Sequence, residues 1–140
     1  RGILLPFIEQ GPAALVVANR TPATAAALVE QFGAAGTELA ACAFADIAGA
    51  FDIVVNATPL GMKDDDPLPM DVDRIAPGTF VGEVVMKQEI TPFLRAARDK
   101  GCPIQVGKDM LFEMIPAYLE FFGFGTATAD ELRAVAKVDA

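Results

Sequence analysis

The sequence contains no histidine and only two cysteines, Cys42 and Cys102. A histidine general base is therefore excluded, and neither a histidine metal site nor a disulfide framework is expected. No apolar run approaches the ~20 residues that a membrane helix needs. The first residues, Arg1-Gly2-Ile3-Leu4-Leu5, lack the charged segment and long apolar stretch of a secretory signal, and the absence of an initiator methionine reads as a piece of a longer chain. Positive charge is scarce as well: 11 Lys and Arg stand against 19 Asp and Glu, a net charge of −8. That balance points away from nucleic acid and anionic membranes, and toward a soluble, cytoplasmic protein with a small-molecule partner.

What is present is a core. The 140 residues are 53% hydrophobic, enough for a folded domain. Ile3, Leu4, Phe7 and Ile8 fall on one helical face that starts near Arg1, with Pro6 in its first turn, and ends at Gly11. Leu15 to Ala18 reads as a buried strand. Thr21 and Pro22 read as the N-cap and first residue of a helix running to Gly33. Strands are expected at Thr37 to Phe44, Asp52 to Val55, Thr79 to Val85 and Pro103 to Val106. Lys63 to Pro77 carries three of the ten prolines and reads as a loop with a helical turn at Asp71 to Ile75. Further helices are expected at Phe93 to Lys100, opened by Thr91-Pro92, at Lys108 to Phe122, and at Asp130 to Val138 with Thr128 as N-cap. Helices alternating with short apolar strands predict an α/β fold, a doubly wound parallel sheet of the Rossmann type. There is no internal repeat and no low-complexity linker. A nucleotide domain of this type should open with a strand and a glycine turn, and this chain opens inside a helix instead.

Asn19-Arg20-Thr21 ends the first expected strand. In a doubly wound fold, the residue after the second strand selects the dinucleotide: an acid binds the ribose 2′-OH of NAD, and an Arg accommodates the 2′-phosphate of NADP. Arg20 therefore points to NADP, with Asn19 and Thr21 as short neighbouring donors. The same geometry explains Thr21 as a helix cap. Asn56-Ala57-Thr58-Pro59-Leu60-Gly61-Met62 follows the next strong strand, at the sheet end where ligands gather, and is also explained as a turn that buries Leu60 and Met62. Asp64-Asp65-Asp66 has the composition of a divalent-metal site but reads as a solvated loop tip, so no metal is expected. Met110, Leu111, Met114, Ile115, Tyr118, Leu119 and Phe122 form an apolar stripe at helical spacing, whose default role is core packing. Pro116 must kink that helix or start a new one.

Together these stretches resemble the shikimate dehydrogenase family. Asn19-Arg20-Thr21 is similar to its NADP-phosphate motif, and Asn56 to Met62 to its Asn-Ala-Thr-Pro-Leu-Gly-Met signature. Thr91-Pro92-Phe93-Leu94 resembles the start of the helix after its fifth strand, and Gly107-Lys108-Asp109-Met110-Leu111 its Gly-x-x-Met-Leu segment. The resemblance maps the chain to the carboxyl half of such an enzyme, lacking the first strand and the Gly-rich pyrophosphate turn. It implies a truncated NADP-binding domain at residues 1–107 and carboxyl-terminal helices at 108–140 that return toward an amino-terminal catalytic domain. It implies that Asn56, Ala57, Thr58, Pro59 and Leu60 lie along the ribose and nicotinamide side of the cofactor, and that Gly107 and Met110 neighbour the nicotinamide. The family's catalytic Lys and Asp fall outside this chain, so no catalytic residue is assigned, and none of Lys63, Lys87, Lys100, Lys108 or Lys137 sits in a matching motif.

Two departures bear on substrate. The family's Asp-x-x-Tyr-x-Pro aligns with Glu83-Val84-Val85-Met86-Lys87-Gln88, so Met86 takes the place of a substrate-contacting Tyr, and Met114 takes the place of a Gln. Removing the partner of a buried polar group costs about 1–3 kcal/mol. The resemblance implies an NADP-dependent oxidoreductase that interconverts 3-dehydroshikimate and shikimate or a related cyclic hydroxy acid, and the two methionines favour a related, less polar substrate. A non-catalytic NADP-binding module is the alternative. A methyl-donor ligand on the same fold is opposed by Arg20. A homodimer is left open.

Overall fold

The computed structural model describes residues 2–33 and 36–136. The chain divides into two compact units, Arg1–Ala50 and Phe51–Ala140.

In the first unit, β1 (Ala14–Asn19) and β2 (Glu38–Ala43) pair in parallel, from Ala14 opposite Glu38 to Asn19 opposite Ala43. A parallel pair needs a crossover, and α2 (Pro22–Phe32) supplies it. Pro22 suits the first helical position because its missing N–H would have had no helical partner. The helix ahead of β1, α1 (Leu4–Glu9), holds Pro6 in its first turn as expected, and it is followed by Gly11 at φ +64°. It starts at Leu4 rather than near Arg1, with Ile3 at its N-cap. Three further expectations are corrected here. The β1 strand is half-buried rather than buried. Thr37 lies outside β2, and Phe44 enters a 3-10 turn, Phe44–Asp46. Thr21 occupies the N-cap position of α2, but its side chain makes no capping hydrogen bond. The Thr24 N–H, which such a cap would take, donates to the Thr21 backbone carbonyl instead at 3.0 Å, and Asn19 Oδ1 shapes the turn by accepting from the Thr21 N–H at 2.9 Å.

In the second unit, β3 (Ile53–Asn56), β4 (Phe80–Glu83) and β5 (Ile104–Gln105) form a parallel sheet in that order. The crossover from β4 to β5 is α3 (Pro92–Asp99). Thr91 caps it, accepting from the Leu94 N–H at 3.3 Å, and Gly101 at φ +86° lets the chain leave it. Phe93, Leu94 and Ala97 line one face of α3 and pack the core with Val81, Val85, Ile75 and Val72. The turn Val72–Arg74 is fastened to the end of α3 by Lys100 Nζ, which donates to Val72 O and Asp73 O at 2.8 and 2.7 Å.

The unit closes with α4 (Gly107–Phe121) and α5 (Ala129–Ala136). Thr128 and Glu131 form a reciprocal capping box. Thr128 Oγ1 accepts from Glu131 N, and Glu131 Oε2 accepts from Thr128 N at 2.7 Å. Arg133 joins the two helices through Glu113 at 2.6 Å and Asp109 at 3.5 Å. The expected end of α5 at Val138 lies outside the described residues. Pro116 sits inside α4 and does not start a new segment. The core reading of the α4 stripe is corrected: only Gly107 is buried in this helix, while Leu111 and Tyr118 are exposed, and Phe121 and Phe122 are 82% and 64% exposed. Helical spacing puts such residues on one face; it does not provide the neighbours that cover them.

The pairings β2–β1 and β3–β4–β5 are those of strands 3-2 and 4-5-6 in the doubly wound order 3-2-1-4-5-6. The strand numbered 1 in that order has no counterpart among the described residues. No helix among them is long and apolar enough to cross a membrane.

Candidate functional site

Two stretches proposed from sequence fall in different units, and each builds its own local geometry. At the carboxyl end of β1, Asn19 spends its Oδ1 on the Thr21 N–H. The Thr21 hydroxyl is left uncommitted because it makes no cap. Arg20 between them is exposed and has no hydrogen-bond or ion-pair partner among the described residues. An unpaired guanidinium followed by a helix N-terminus is a suitable place for a phosphate.

In the second unit, Asn56 is 4% exposed, and its side chain organises the loop after β3. Its Oδ1 accepts from Thr58 N at 3.1 Å and from Thr58 Oγ1 at 2.6 Å, and its Nδ2 donates to Leu60 O at 3.0 Å. Thr58 Oγ1 in turn accepts from Leu60 N. Gly61 follows at φ +101°, where a Cβ would also press on Thr91 Cγ2 at 3.3 Å, so both conformation and space call for glycine. Asp66 Oδ2 closes the loop by accepting from the Gly61 and Lys63 N–H groups, which holds its carboxyl below the usual range. Asp66 is thus committed to the turn, and Asp64 accepts from Gln88 Nε2 at 2.9 Å. The turn reading is corrected in one respect: Leu60 is half-buried and Met62 is 47% exposed.

Behind the loop, Glu83 pairs in register with Asn56 and is 4% exposed. Thr91 Oγ1 donates to its Oε2 at 2.9 Å, and its Oε1 has no partner. Burial pushes this carboxyl above its ordinary range, against the pull of the Thr91 hydrogen bond and of the Asn56 amide nearby.

The loop and the segment after β4 enclose a pocket of about 370 Å³. Ala57, Thr58, Pro59 and Met62 line one side, and Val84, Val85, Met86 and Lys87 the other. Three residues assigned to the cofactor and one assigned to substrate therefore meet in one cavity. Gly107 stands just behind it, since a Cβ there would collide with the Val85 carbonyl oxygen and lie 2.7 Å from its carbon. Met110 and Met114 are half-buried one turn apart on α4 and do not line the pocket. Sequence reasoning missed Met62, Val84, Val85 and Lys87; the only available signal was an apolar run, Val84-Val85-Met86, that continues past the end of β4 into a lysine.

No family model matches the chain. Individual proteins do. The chain is 40% identical over 114 residues, 81% of its length, to the shikimate dehydrogenase (NADP(+)) of Alkalilimnicola ehrlichii, covering 42% of that protein. It superposes on the crystal structure of an Ael1 enzyme from Pseudomonas putida with a TM-score of 0.76 and 32% identity, over 96% of this chain and 48% of that one. The chain belongs to the shikimate dehydrogenase family. It spans about half the length of the curated relatives it matches, 37% to 50% of each, and corresponds to their carboxyl-terminal half. This family member also superposes on the quinate dehydrogenase of Corynebacterium glutamicum, solved in complex with NAD, with a TM-score of 0.74 and 26% identity over 91% of this chain and 47% of that one.

Proposed function

We propose that this chain is the NADP-binding part of an oxidoreductase that interconverts a cyclic hydroxy acid, shikimate-like in outline, with its ketone. The observation that carries the reading is Arg20: an exposed guanidinium without a partner, at the strand end where an NAD site has an acid. The relative from Alkalilimnicola ehrlichii is named for NADP, in agreement, whereas the quinate dehydrogenase was solved with NAD. The residues present fit the phosphate. Arg20 offers a planar fork, Thr21 an uncommitted hydroxyl, and Asn19 its amide nitrogen.

Each unit is assigned its own end of the cofactor. Asn19, Arg20 and Thr21 take the 2′-phosphate. Asn56, Ala57, Thr58, Pro59 and Leu60 lie along the ribose and nicotinamide side, where the rigid hydrogen-bonded loop excludes water and fixes orientation. Gly107 and Met110 neighbour the nicotinamide, and Met86 and Met114 face substrate. The bound nicotinamide supplies or accepts the hydride. The proton is handled by the Lys and Asp that the family resemblance places outside this chain. Residues 1–107 act as the cofactor domain and 108–140 as the helices returning to the catalytic one.

Titration of the whole protein with NADP and NAD tests this. NADP binds at least tenfold tighter, and Arg20→Ala removes most of that difference; equal affinities sink the cofactor assignment. A second reading, a binding module without turnover, draws on Met86 and Met114 at usually polar positions, and detectable hydride transfer to any cyclic hydroxy acid or ketone rules it out.

A further inference from the structure

Glu83 is a buried acid that does not line the pocket. It ends β4 opposite Asn56 of β3. Its Oε2 accepts from Thr91 Oγ1 at 2.9 Å, while Oε1 is buried with no hydrogen-bond partner. As an anion, a carboxylate shut away from water with one oxygen unanswered is costly. A proton on that oxygen removes the charge.

Two neutral side chains join this carboxyl to the loop after β3. The Thr91 hydroxyl donates to Glu83 and accepts from Leu94 N, and its methyl carbon is the atom a Cβ on Gly61 would meet at 3.3 Å. The Asn56 amide lies near the carboxyl, donates to Leu60 O, and holds Thr58 through its Oδ1. On the other side, β5 places Gln105 opposite Gly82, again without charge. Among the described residues, no charged side chain of β3, β5, α3 or α4 shifts the Glu83 carboxyl; burial raises it, and Thr91 and Asn56 lower it. A unit of charge at Glu83 is therefore felt first by the two side chains that shape the loop.

We propose that Glu83 is a positioning residue for the loop after β3, and that it takes up a proton on Oε1 when a dinucleotide covers that loop. Solvent gives up the proton, one O–H bond forms, and nothing is oxidised or reduced. A dinucleotide brings negative charge and displaces water, and both disfavour a buried anion behind the loop. By linkage, the dinucleotide then binds more tightly as pH falls through the window between the free and the bound titration of Glu83. This rests on the oxidoreductase reading only in taking the loop to touch a dinucleotide.

Calorimetric titration of the whole protein with NADP and with NAD, in two buffers of different ionisation heat, counts the protons. Within that window, wild type takes up about half a proton more per dinucleotide than Glu83→Gln, and its affinity rises roughly threefold more for each pH unit lowered. The 2′-phosphate of NADP titrates on its own and cancels between the two proteins, so NAD gives the same difference. Glu83→Asp, which keeps an acid, restores the uptake. Without dinucleotide, the amide resonances of Thr58, Leu60 and Leu94 share one pH midpoint above the ordinary carboxylate range, and Glu83→Gln abolishes it. Equal uptake by wild type and Glu83→Gln overturns the proposal and leaves the cofactor reading standing. Equal affinities for NADP and NAD with the extra uptake intact overturn the NADP assignment alone. Resonances that ignore the substitution overturn the proposal whether or not a dinucleotide binds, and absence of binding by either dinucleotide overturns both readings.

Discussion

The first unit encloses almost nothing, and the second encloses almost everything that this chain buries. Among the described residues, Leu4 and Ala25 are the buried apolar side chains of the first unit; Met70, Val72, Ile75, Val81, Val85, Phe93, Leu94, Ala97 and Cys102 belong to the second. All four buried polar residues, Asn56, Thr79, Glu83 and Thr91, are in the second as well. Both units are built from parallel strands and crossover helices, so secondary structure does not account for the difference. Each unit lays a crossover helix on its strands, α2 on β1 and β2 and α3 on β4 and β5, but the second adds the turn Val72–Arg74 packed on α3, and a further layer is what removes side chains from water. Density of polar commitment follows density of packing, because only a buried Asn56 or Thr91 needs to spend every hydrogen bond it can make.

The comparison can be broken by substitution, starting with the largest effect. Phe93→Ala should lower unfolding free energy by about 3–5 kcal/mol, measured by urea denaturation. The half-buried Val16→Ala should cost roughly 1 kcal/mol, and equal losses would show that the first unit is packed as tightly as the second. Thr91→Ala removes the α3 cap and strips buried Glu83 of its donor. Together these amount to about 2–4 kcal/mol, and a loss below about 1 kcal/mol would show that Glu83 finds another partner.

Glu83 itself sharpens the comparison through pH. Its carboxyl is raised in the folded state by burial, so the folded protein holds this proton more tightly than the unfolded chain. Its stabilising contribution is complete below the ordinary carboxylate range and is lost as pH rises through the folded value. Glu83→Gln should therefore gain on wild type as pH rises through that window, and a constant difference from pH 4 to 8 would refute the assignment. Asp66 and Glu131, held low by backbone hydrogen bonds, work in the opposite direction and lose stability as pH falls. The smallest effects separate two threonines at N-caps. Thr128→Ala should cost about 1 kcal/mol and Thr21→Ala only a few tenths, because Thr21 makes no capping bond.

Local chemistry with a strong periodic or capping signal was legible in the sequence. The α3 helix with its Thr91-Pro92 start and Gly101 exit, the N-cap at Thr128, and Arg20 at a strand end all stand where pattern places them. What was not legible depends on neighbours far along the chain or on competition within it. Whether the Thr24 N–H goes to the Thr21 hydroxyl or to the Thr21 carbonyl oxygen cannot be ranked from composition. The Glu83–Thr91 bond joins a strand to a helix, and no spacing rule announces it. The pocket needed two segments some 25 residues apart to converge. The aromatic carboxyl end of α4 showed the converse failure, a correct face with no cover among the described residues.

The two cysteines fall one to each unit. Cys42 is half-buried in β2, where burial and the charge of Asp46 raise its thiol, and Cys102 is buried ahead of β5 with its Sγ donating to Ala76 O. The molecule thus carries its own pair of clocks. The rate at which a thiol reagent consumes Cys42 reports the breathing of the first sheet, and the slower consumption of Cys102 reports the opening of the second, with no label introduced.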